Sequence, residues 1–537
     1  MNLSPLDIAA LSVAAYIVGH LVTRSFRRAV DLSGPPRDSF LLGSRKALND
    51  APDAAVLFEQ WAREYGPAYR VSMPLGADAV VLMDPKALAH FFSKETVTYV
   101  ATPLGKFFTE NLIGKGSLLV ASGDVHKRQR KLLTPGFSTA AIRKLTEVFY
   151  DSAYKAKTAW DNLIESNPDG SIIEVQQWMN NISLDTVGIA GFSHDFGTLQ
   201  GQQADVADVF HSLGHAPAKP SLMRMLIFNL APHIPWLFKI PSKRSSILTK
   251  LNESMGQISE MLLSRTREQK AEGEEDKSVI GLLIKAENSD SSLYMSQEEV
   301  MAQMKLLIIA GYETTSISMT WALIELAQRP DIQTKLRDEL SAFGSDPTYD
   351  QFTSGLLYLD AVVNEILRLH PPLSELSRQA AEADIIPLST PTRTASGGLT
   401  SFVGVHKGTR MLIPIRAINR LTSLWGPDAA EFRPSRWLSS SIPGEGKEGG
   451  IPESARAVQG YKNMLTFSDG PKTCLGRTFA VTEFKTVLSV LIRNFTFELR
   501  DGPKSNLKFE TTPGLLPRPK LEGESGTTVP LRVRRAD

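Results

Sequence analysis

Cysteine is the residue that this sequence has least of. Only one is present among 537 residues, Cys474, so the chain cannot form an internal disulfide bond. A fold without disulfides fits a catalytic body in the cytosol. The chain also lacks a large charge of either sign, since 59 basic and 58 acidic side chains leave a net charge of +1. This balance gives no indication of nucleic-acid binding.

Long linkers rich in Pro, Gly and Ser are absent as well. At 537 residues the chain exceeds the usual size of a single domain, yet no such segment divides it. The 42% of hydrophobic residues can form a large core. We therefore expect one large domain over residues 46–537.

The amino terminus has the composition of a membrane anchor. Residues 3–22 are mainly apolar, although Asp7 interrupts them, and about 20 residues can span a bilayer. No basic residue precedes this run, no cleavage site ends it, and three arginines follow. The pattern predicts an uncleaved signal anchor over residues 1–23, with the following body in the cytoplasm, and a basic, proline-containing hinge over residues 24–45. An ordinary buried helix is the alternative.

The surroundings of Cys474 form a defined pattern. Phe467 and Gly470 precede the cysteine and Gly476 follows it, so a flat ligand could approach the backbone closely. Beyond Gly476 apolar residues recur at helical spacing. Cys474 therefore precedes a helix whose unpaired N–H groups and dipole favour a thiolate. The alternative is a buried, unreactive cysteine in a turn.

The stretch FSDGPKTCLGR, residues 467–477, resembles the haem-binding loop of the cytochrome P450 family. The shared pattern is Phe, two residues, Gly, three residues, Cys, one residue, Gly. The resemblance implies that Cys474 is the axial thiolate ligand of haem b. The family usually has Arg two residues before the cysteine. Lys472 stands there in this chain, and lysine keeps the charge but lacks the bidentate fork.

A long helix is predicted over residues 296–329, which begins at the capping residue Ser296 and ends before Pro330. It is apolar almost all round, so we expect it in the core. The small and polar segment AGYETT, residues 310–315, interrupts this surface. Its threonines could simply bond to carbonyls one turn back, which is a purely structural role.

The same segment resembles the distal helix of the P450 family. By that resemblance, Gly311 makes room for O2, Thr314 supports protonation of the bound dioxygen, and Glu313 relays the protons.

A second predicted helix, residues 124–133, has a strongly basic face and opens after Gly123. A solvated charge run is the alternative. The resemblance implies that His126 and Arg130 contact the haem propionates. It implies the same for Arg378, which follows a double proline.

A third predicted helix, residues 358–369, carries Glu365 and Arg368 on one face because they lie three residues apart. Surface helices often carry an acid and an arginine at this spacing, so the pair alone is a weak indication of function. In the P450 family such a pair is buried and joined by an arginine from a downstream segment, which corresponds here to Arg436 in FRPSRW. We expect these three residues to fix the core on the haem side rather than to act in catalysis.

The rest of the chain allows a coarser interpretation. Residues 222–240 are unusually apolar and are predicted either as core or as a membrane contact. The substrate pocket is expected from residues 103–119, 222–235, 304–315 and 373–377. Alternation and helical spacing give the remaining predictions: strands at 68–72, 79–83 and 409–415, a helix at 56–65, a mostly helical region over 155–206, and an exposed insertion at 388–402.

Together the four stretches resemble a microsomal, fungal type of P450 in the endoplasmic reticulum membrane. By this resemblance we expect a catalytic domain that is mainly α-helical with small β-sheets, and a monomeric protein. The resemblance implies that O2 is activated at the haem and that one oxygen atom enters a lipophilic small molecule. Electrons would come from a separate NADPH-dependent cytochrome P450 reductase, because no flavin domain is left unassigned; Lys131 and Lys472 are candidate contacts for its acidic face. The alternatives are a haem-thiolate isomerase or dehydratase that works without O2, and a haem-based gas sensor.

Overall fold

The computed structural model describes residues 30–537 except for 40, 52, 166, 168, 205–248, 250–252, 254–255, 265–266, 269–278, 288–292, 439–449, 503–504, 506, 513–515, 525 and 537. The predicted anchor and the apolar segment 222–240 lie outside the described residues. The hinge is described from residue 30 onwards. Among the described helices, none is long and apolar enough to cross a membrane.

Helices make up most of the described chain. In order they are α1 (Arg45–Asp50), α2 (Ala54–Tyr65), α3 (Pro85–Ser93), α4 (Pro103–Leu112), α5 (Gly123–Leu133), α6 (Thr139–Glu165), α7 (Val175–Phe192), α8 (Val279–Glu287), α9 (Gln297–Gln328), α10 (Pro330–Phe343), α11 (Tyr349–Ser354), α12 (Leu357–Leu369), α13 (Ile415–Ile418), α14 (Thr422–Trp425), α15 (Glu453–Arg456) and α16 (Arg477–Asn494).

Four small sheets accompany the helices. Their strands are β1 (Ala68–Ser72), β2 (Asp78–Leu82), β3 (Tyr99–Val100), β4 (Ser171–Glu174), β5 (Leu376–Ala380), β6 (Asp384–Arg393), β7 (Leu399–Val405), β8 (Arg410–Ile413), β9 (Phe495–Leu499), β10 (Phe509–Thr511), β11 (Pro519–Leu521) and β12 (Pro530–Arg535). The largest sheet has the order β1-β2-β8-β5-β3, in which only β2 and β8 are parallel. A three-stranded sheet has the order β4-β12-β9, and β6–β7 and β10–β11 are two hairpins.

The long helix α9 lies in the core, as its sequence predicts. Ser296 and Glu299 form a capping box, in which each side chain accepts a hydrogen bond from the other residue's backbone N–H. The helix ends just before Pro330, whose missing N–H cannot continue the ladder. It packs most extensively against α7, and both helices are largely buried. The buried face of α9 is therefore covered mainly by α7.

Several other predicted elements are confirmed within one or two residues. Helices α2, α5 and α12 and strands β1 and β2 lie where the periodicity places them. Strand β8 covers the middle of its predicted run, and α16 begins directly after Gly476.

The region 155–206, predicted to be mostly helical, is helical over most of its described residues, through α6 and α7; strand β4 separates the two helices, and α7 ends at Phe192.

One prediction is wrong in part. Residues 388–402 are not a simple loop: they belong to the β6–β7 hairpin, which closes through residues 394–398. This stretch is rich in threonine, whose β-branched side chain favours strands.

Candidate active site

The loop around Cys474 is held by its own backbone. The N–H of Cys474 donates to the Phe467 carbonyl over 2.8 Å, which closes the loop around the turn Gly470–Lys472. Gly470 has φ +63°, and an added Cβ would lie 2.3 Å from the Phe92 carbonyl oxygen. Only glycine fits this position, because both the backbone conformation and the close approach exclude a side chain.

Gly476 differs from Gly470. Its φ is −86°, and an added Cβ would come no nearer than 3.7 Å to the protein, at Phe137. The protein itself therefore does not require glycine here. The missing side chain leaves free space directly beside the cysteine, as a flat cofactor would need.

Cys474 is exposed in this chain. Its pKa is nevertheless raised, mainly because the surrounding protein desolvates the thiolate. A hydrogen bond from the Gly476 backbone and the charges of Arg130 and Arg477 act in the opposite direction. The thiol therefore has local support for its anionic form, but not enough to offset the desolvation.

Four predicted residues gather near Cys474: His126, Arg130, Arg378 and Lys472, which we call the cationic cluster. Each is electrostatically coupled to at least one other member, and Arg130 is also coupled to Cys474. They come from α5, from β5 and from the cysteine loop, which are far apart in sequence. The structure therefore brings these predicted residues to one place.

Arg378 and Lys472 have partners within the chain. Arg378 pairs with Glu95, with its Nη2 2.7 Å from Glu95 Oε1. Lys472 Nζ donates to the carbonyls of Leu118, Leu119 and Ala121 over 2.9 to 3.2 Å. The lysine thus connects the cysteine loop to the segment before α5, a contact that the sequence does not indicate.

The pKa values within the cationic cluster show mutual repulsion. Burial lowers the pKa of His126 to about 4, and the charges of Lys472 and Arg130 act in the same direction. Burial also lowers the pKa of Lys472 to about 8, with added repulsion from Arg378 and Arg130 and partial compensation by Glu95. His126 is therefore neutral near pH 7, while Lys472 keeps most of its charge.

The cationic cluster fits the propionates of a haem. Arg378 and Lys472 act on Glu95, near which the carboxylate of Asp469 also lies, and Arg130 acts on Cys474. Three cations thus stand against two carboxylates, so positive charge is in excess. Glu95 Oε2 is buried without a hydrogen-bond partner among the described residues, and burial raises the pKa of this side chain. A bound group with two carboxylates would supply the missing negative charge.

The predicted polar segment of α9 is accessible although the helix around it is buried. Ala310 is exposed, and Gly311 and Thr314 are half-buried. The Thr314 hydroxyl donates to the Ala310 carbonyl over 2.6 Å. Thr314 therefore presents a polar oxygen at an open part of the core helix.

The packing of α7 against α9 also explains the glycine at position 311. An added Cβ would lie 2.5 Å from Cγ2 of Val187 on α7. The glycine lets α7 and α9 approach closely. Its role in making room for O2 stays a prediction.

Glu313 has a partner that the sequence does not reveal. Arg518 Nε lies 2.6 Å from Glu313 Oε1, and both side chains are buried. Arg518 precedes strand β11 and lies 205 residues further along the chain, so no local pattern links the two. The acid beside Thr314 is thus held as an ion pair.

Glu365, Arg368 and Arg436 form a buried triad with 0% exposure. Arg368 binds Glu365 in a bidentate manner over 2.7 and 2.8 Å, and Arg436 Nε lies 3.4 Å from Glu365 Oε1. The remaining donors of the two arginines reach backbone carbonyls and the Asp428 carboxylate. Trp437 donates its ring N–H to Glu365. Every charge in the triad is therefore compensated within the chain.

Asn419 joins the triad to the cysteine loop. Its carbonyl accepts from Arg368, while its fully buried side chain accepts from the Leu465 N–H and donates to the Thr466 hydroxyl. Thr466 in turn donates to the Leu367 carbonyl on α12. The sequence analysis did not find Asn419, because a lone asparagine carries no pattern.

The cysteine loop and the polar segment of α9 border the same apolar cluster. Leu475, next to Cys474, packs against it, and Tyr312, two residues before Thr314, is buried in it. An accessible thiol, an excess of cations around it and a polar break in the core helix together fit the site of a haem-thiolate protein.

The comparison with known proteins identifies the family. The cytochrome P450 family model matches residues 34–522, and the chain belongs to this family. It is 52% identical to cytochrome P450 monooxygenase claQ of Ampulloclitocybe clavipes, over 99% of this chain and 98% of that protein. It is 53% identical to cytochrome P450 monooxygenase claP of the same fungus, over 100% of this chain and 99% of that protein. A ganoderic acid synthetase of Ganoderma lucidum is 33% identical to this chain, over 93% of this chain and 94% of that protein. The chain is thus a cytochrome P450 monooxygenase, and the family implies haem with thiolate ligation.

Proposed function

We propose that this chain hydroxylates or epoxidises a lipophilic small molecule, with O2 and with electrons from a separate NADPH-dependent reductase. The observation that carries this proposal is that the accessible Cys474 and the accessible Thr314 segment border one apolar cluster. A lipophilic substrate suits such a lining.

When bound, the haem supplies the redox and O2 chemistry of the reaction. Cys474 would ligate its iron, and Arg130, Arg378 and Lys472 would hold its propionates, with His126 as a neutral hydrogen-bond partner. The chain itself orients the substrate and limits the access of water. Haem b is the form of the cofactor that we propose.

Thr314 and Glu313 would handle protons. The Thr314 hydroxyl holds a proton at Oγ1 and shares it with the Ala310 carbonyl. Glu313, the residue before Thr314 in sequence, accepts from Arg518 through Oε1, which holds its buried carboxylate in place. We infer that Glu313 exchanges protons with the site through Thr314 or water, and that Arg518 keeps it in position.

The setting of the reaction is also part of the proposal. A relative named as a ganoderic acid synthetase supports a place in secondary metabolism. We place the chain in the endoplasmic reticulum membrane through residues 1–23, with residues 24–45 as the hinge. The exposed Lys127 and Lys131 on α5 are better candidates for reductase contacts than Lys472, whose Nζ already binds three carbonyls.

Reconstitution with purified reductase tests the function. The full chain is incubated with NADPH, isotopically labelled O2 and a panel of fatty acids, terpenoids and aromatic compounds. We expect NADPH consumption coupled to a product that contains one labelled oxygen atom. Cys474→Ala should abolish this product and the carbon-monoxide band of a thiolate-ligated haem.

Two other outcomes would contradict the proposal. Product formation without O2 and NADPH would indicate the isomerase or dehydratase alternative. Binding of O2 or carbon monoxide without turnover of any compound in the panel would favour the gas sensor.

A further inference from the structure

One cavity of the described structure has a lining that does not include Cys474. It has a volume of about 230 Å³ and lies between the end of α9, the end of α12 and residues 415–420. Trp321 and Glu325 of α9 form one wall, and His370, Arg416 and Arg420 form the others. Trp321 lies seven residues beyond Thr314, about 10 Å further along the helix at 1.5 Å per residue. We call this site the polar cavity.

Two stacked rings and the Glu325 carboxylate form part of the wall of the polar cavity. The rings of Trp321 and His370 stack with their centroids 4.0 Å apart and their planes 11° from parallel. His370 Nε2 lies 2.6 Å from Glu325 Oε1, and the other oxygen of Glu325 pairs with Arg329. Both oxygens of this acid are therefore occupied, by His370 and Arg329, and Glu325 acts on Arg420 only through its charge.

Arg416 and Arg420 share one carboxylate. Asp53 Oδ2 lies 3.4 Å from an Nη atom of Arg416 and 3.1 Å from one of Arg420. Asp53 Oδ1 accepts from the Ala55 N–H at the start of α2. Two guanidinium groups thus meet one acid, and positive charge is in excess.

The donors of the two arginines are not used equally. Arg420 donates to the Leu369 carbonyl from two of its nitrogens. Arg416 reaches only the Thr511 hydroxyl, over 3.3 Å, besides Asp53, and its Nε has no hydrogen-bond partner among the described residues. The side chains keep 17% and 14% exposure, so their charges remain accessible from the cavity. Burial, followed by the charge of the neighbouring Arg416, lowers the pKa of Arg420 to about 9, while Asp53 and Glu325 offset part of this shift.

We propose that the polar cavity is a binding site for a small oxyanion, such as phosphate or a short carboxylate, with Arg416 as its main ligand and Arg420 in support. A guanidinium matches the geometry of carboxylate and phosphate oxygens, and such hydrogen bonds are strengthened by charge. The volume is below the range of drug-sized pockets, so the ligand is small. This site does not depend on the proposed substrate or reductase.

Titration calorimetry on the full-length ferric holoprotein in detergent tests this site. Inorganic phosphate and acetate are titrated separately, in a phosphate-free buffer of constant ionic strength. We expect saturable binding of at least one of them, and Arg416→Gln should weaken it about 10-fold or more. Arg143→Gln is the matched control, because Arg143 also pairs with one aspartate but lies on α6 away from the cavity, and it should leave the affinity unchanged.

A second variant should change the affinity for the anion in the opposite direction. Asp53→Asn removes the acid that competes for both arginines, but its Oδ1 can still accept from the Ala55 N–H and cap α2. We expect it to tighten anion binding. The carbon-monoxide band shows whether each variant is correctly folded. Absence of saturable binding by either anion, or an affinity that is the same in wild type, Arg416→Gln and Asp53→Asn, would overturn the proposal.

Discussion

The buried triad and the cationic cluster use the same kinds of side chain in opposite ways. In the triad Glu365 receives two arginines, a tryptophan N–H and a backbone N–H, and no side chain of the three is exposed. In the cationic cluster Arg378 and Lys472 act on Glu95, which keeps an oxygen without a partner among the described residues, and Arg130 adds a third cation. Charge that is compensated within the chain builds a scaffold, whereas charge in excess prepares a site for a ligand.

The two regions are nevertheless connected. Asn419 links Arg368 of the triad to Leu465 and Thr466 at the start of the cysteine loop. The scaffold can therefore fix the loop while the cationic cluster remains ready to bind. The following predictions, from the largest expected effect to the smallest, test this difference.

The largest effect is expected for Glu365→Gln. This change leaves Arg368 and Arg436 buried without their shared charge, so the free energy of unfolding should fall by about 3–5 kcal/mol. Urea unfolding followed by circular dichroism measures the loss. Asp350→Asn removes the acid of the exposed Arg143–Asp350 pair and should cost less than about 1 kcal/mol. Equal losses in the two variants would contradict a structural role of the triad.

A smaller effect is expected for Arg518→Gln. Glu313 would lose its ion partner in the core, and product formation should fall about 10-fold or more while the haem content stays unchanged. Turnover with reductase and the carbon-monoxide band measure the two quantities. Arg518→Lys keeps the charge and should recover part of the rate. If both variants turn over like wild type, Arg518 does not position Glu313.

Haem retention should depend on pH through Lys472. Its pKa in the chain is lowered to about 8, so raising the pH through this value removes a positive charge from the cationic cluster. The attraction for a propionate then weakens, and haem loss should be up to about 10-fold faster near pH 9 than near pH 7. Transfer of haem to apomyoglobin measures the rate.

Lys472→Arg provides the control for that experiment. Arginine stays charged throughout this range, so the pH dependence of haem loss should disappear. An unchanged pH profile in this variant would assign the dependence to another group.

The smallest effect on stability is expected for Gly476→Ala. The protein leaves room for the added methyl group, so the free energy of unfolding should change by less than about 1 kcal/mol, while haem affinity falls. Gly470→Ala should instead destabilise the chain by about 1–3 kcal/mol, because its backbone is left-handed and touches the Phe92 carbonyl. Thermal unfolding together with haem titration separates the two glycines. Similar stability losses would show that both positions serve the fold alone.

The sequence predicts those parts of the site that are local in the chain. The capping box and Pro330 mark the ends of α9, and the spacing of Glu365 and Arg368 places them on one helical face. The pairing of Glu313 with Arg518 joins residues from distant elements, and so does that of Arg378 with Glu95. Such contacts depend on tertiary packing and leave no periodic signal. The β6–β7 hairpin was missed for a different reason, since its Ser, Thr and Gly content is typical of loops.

The three carbonyl contacts of Lys472 have a consequence for how the cysteine loop is held. They fasten this loop to residues 118–121 through a single ammonium group. The loop of Cys474 and the stretch that leads into α5, the helix of His126 and Arg130, are therefore positioned together. A shift in the backbone of residues 118–121 is expected to displace both the thiol and the cations around it.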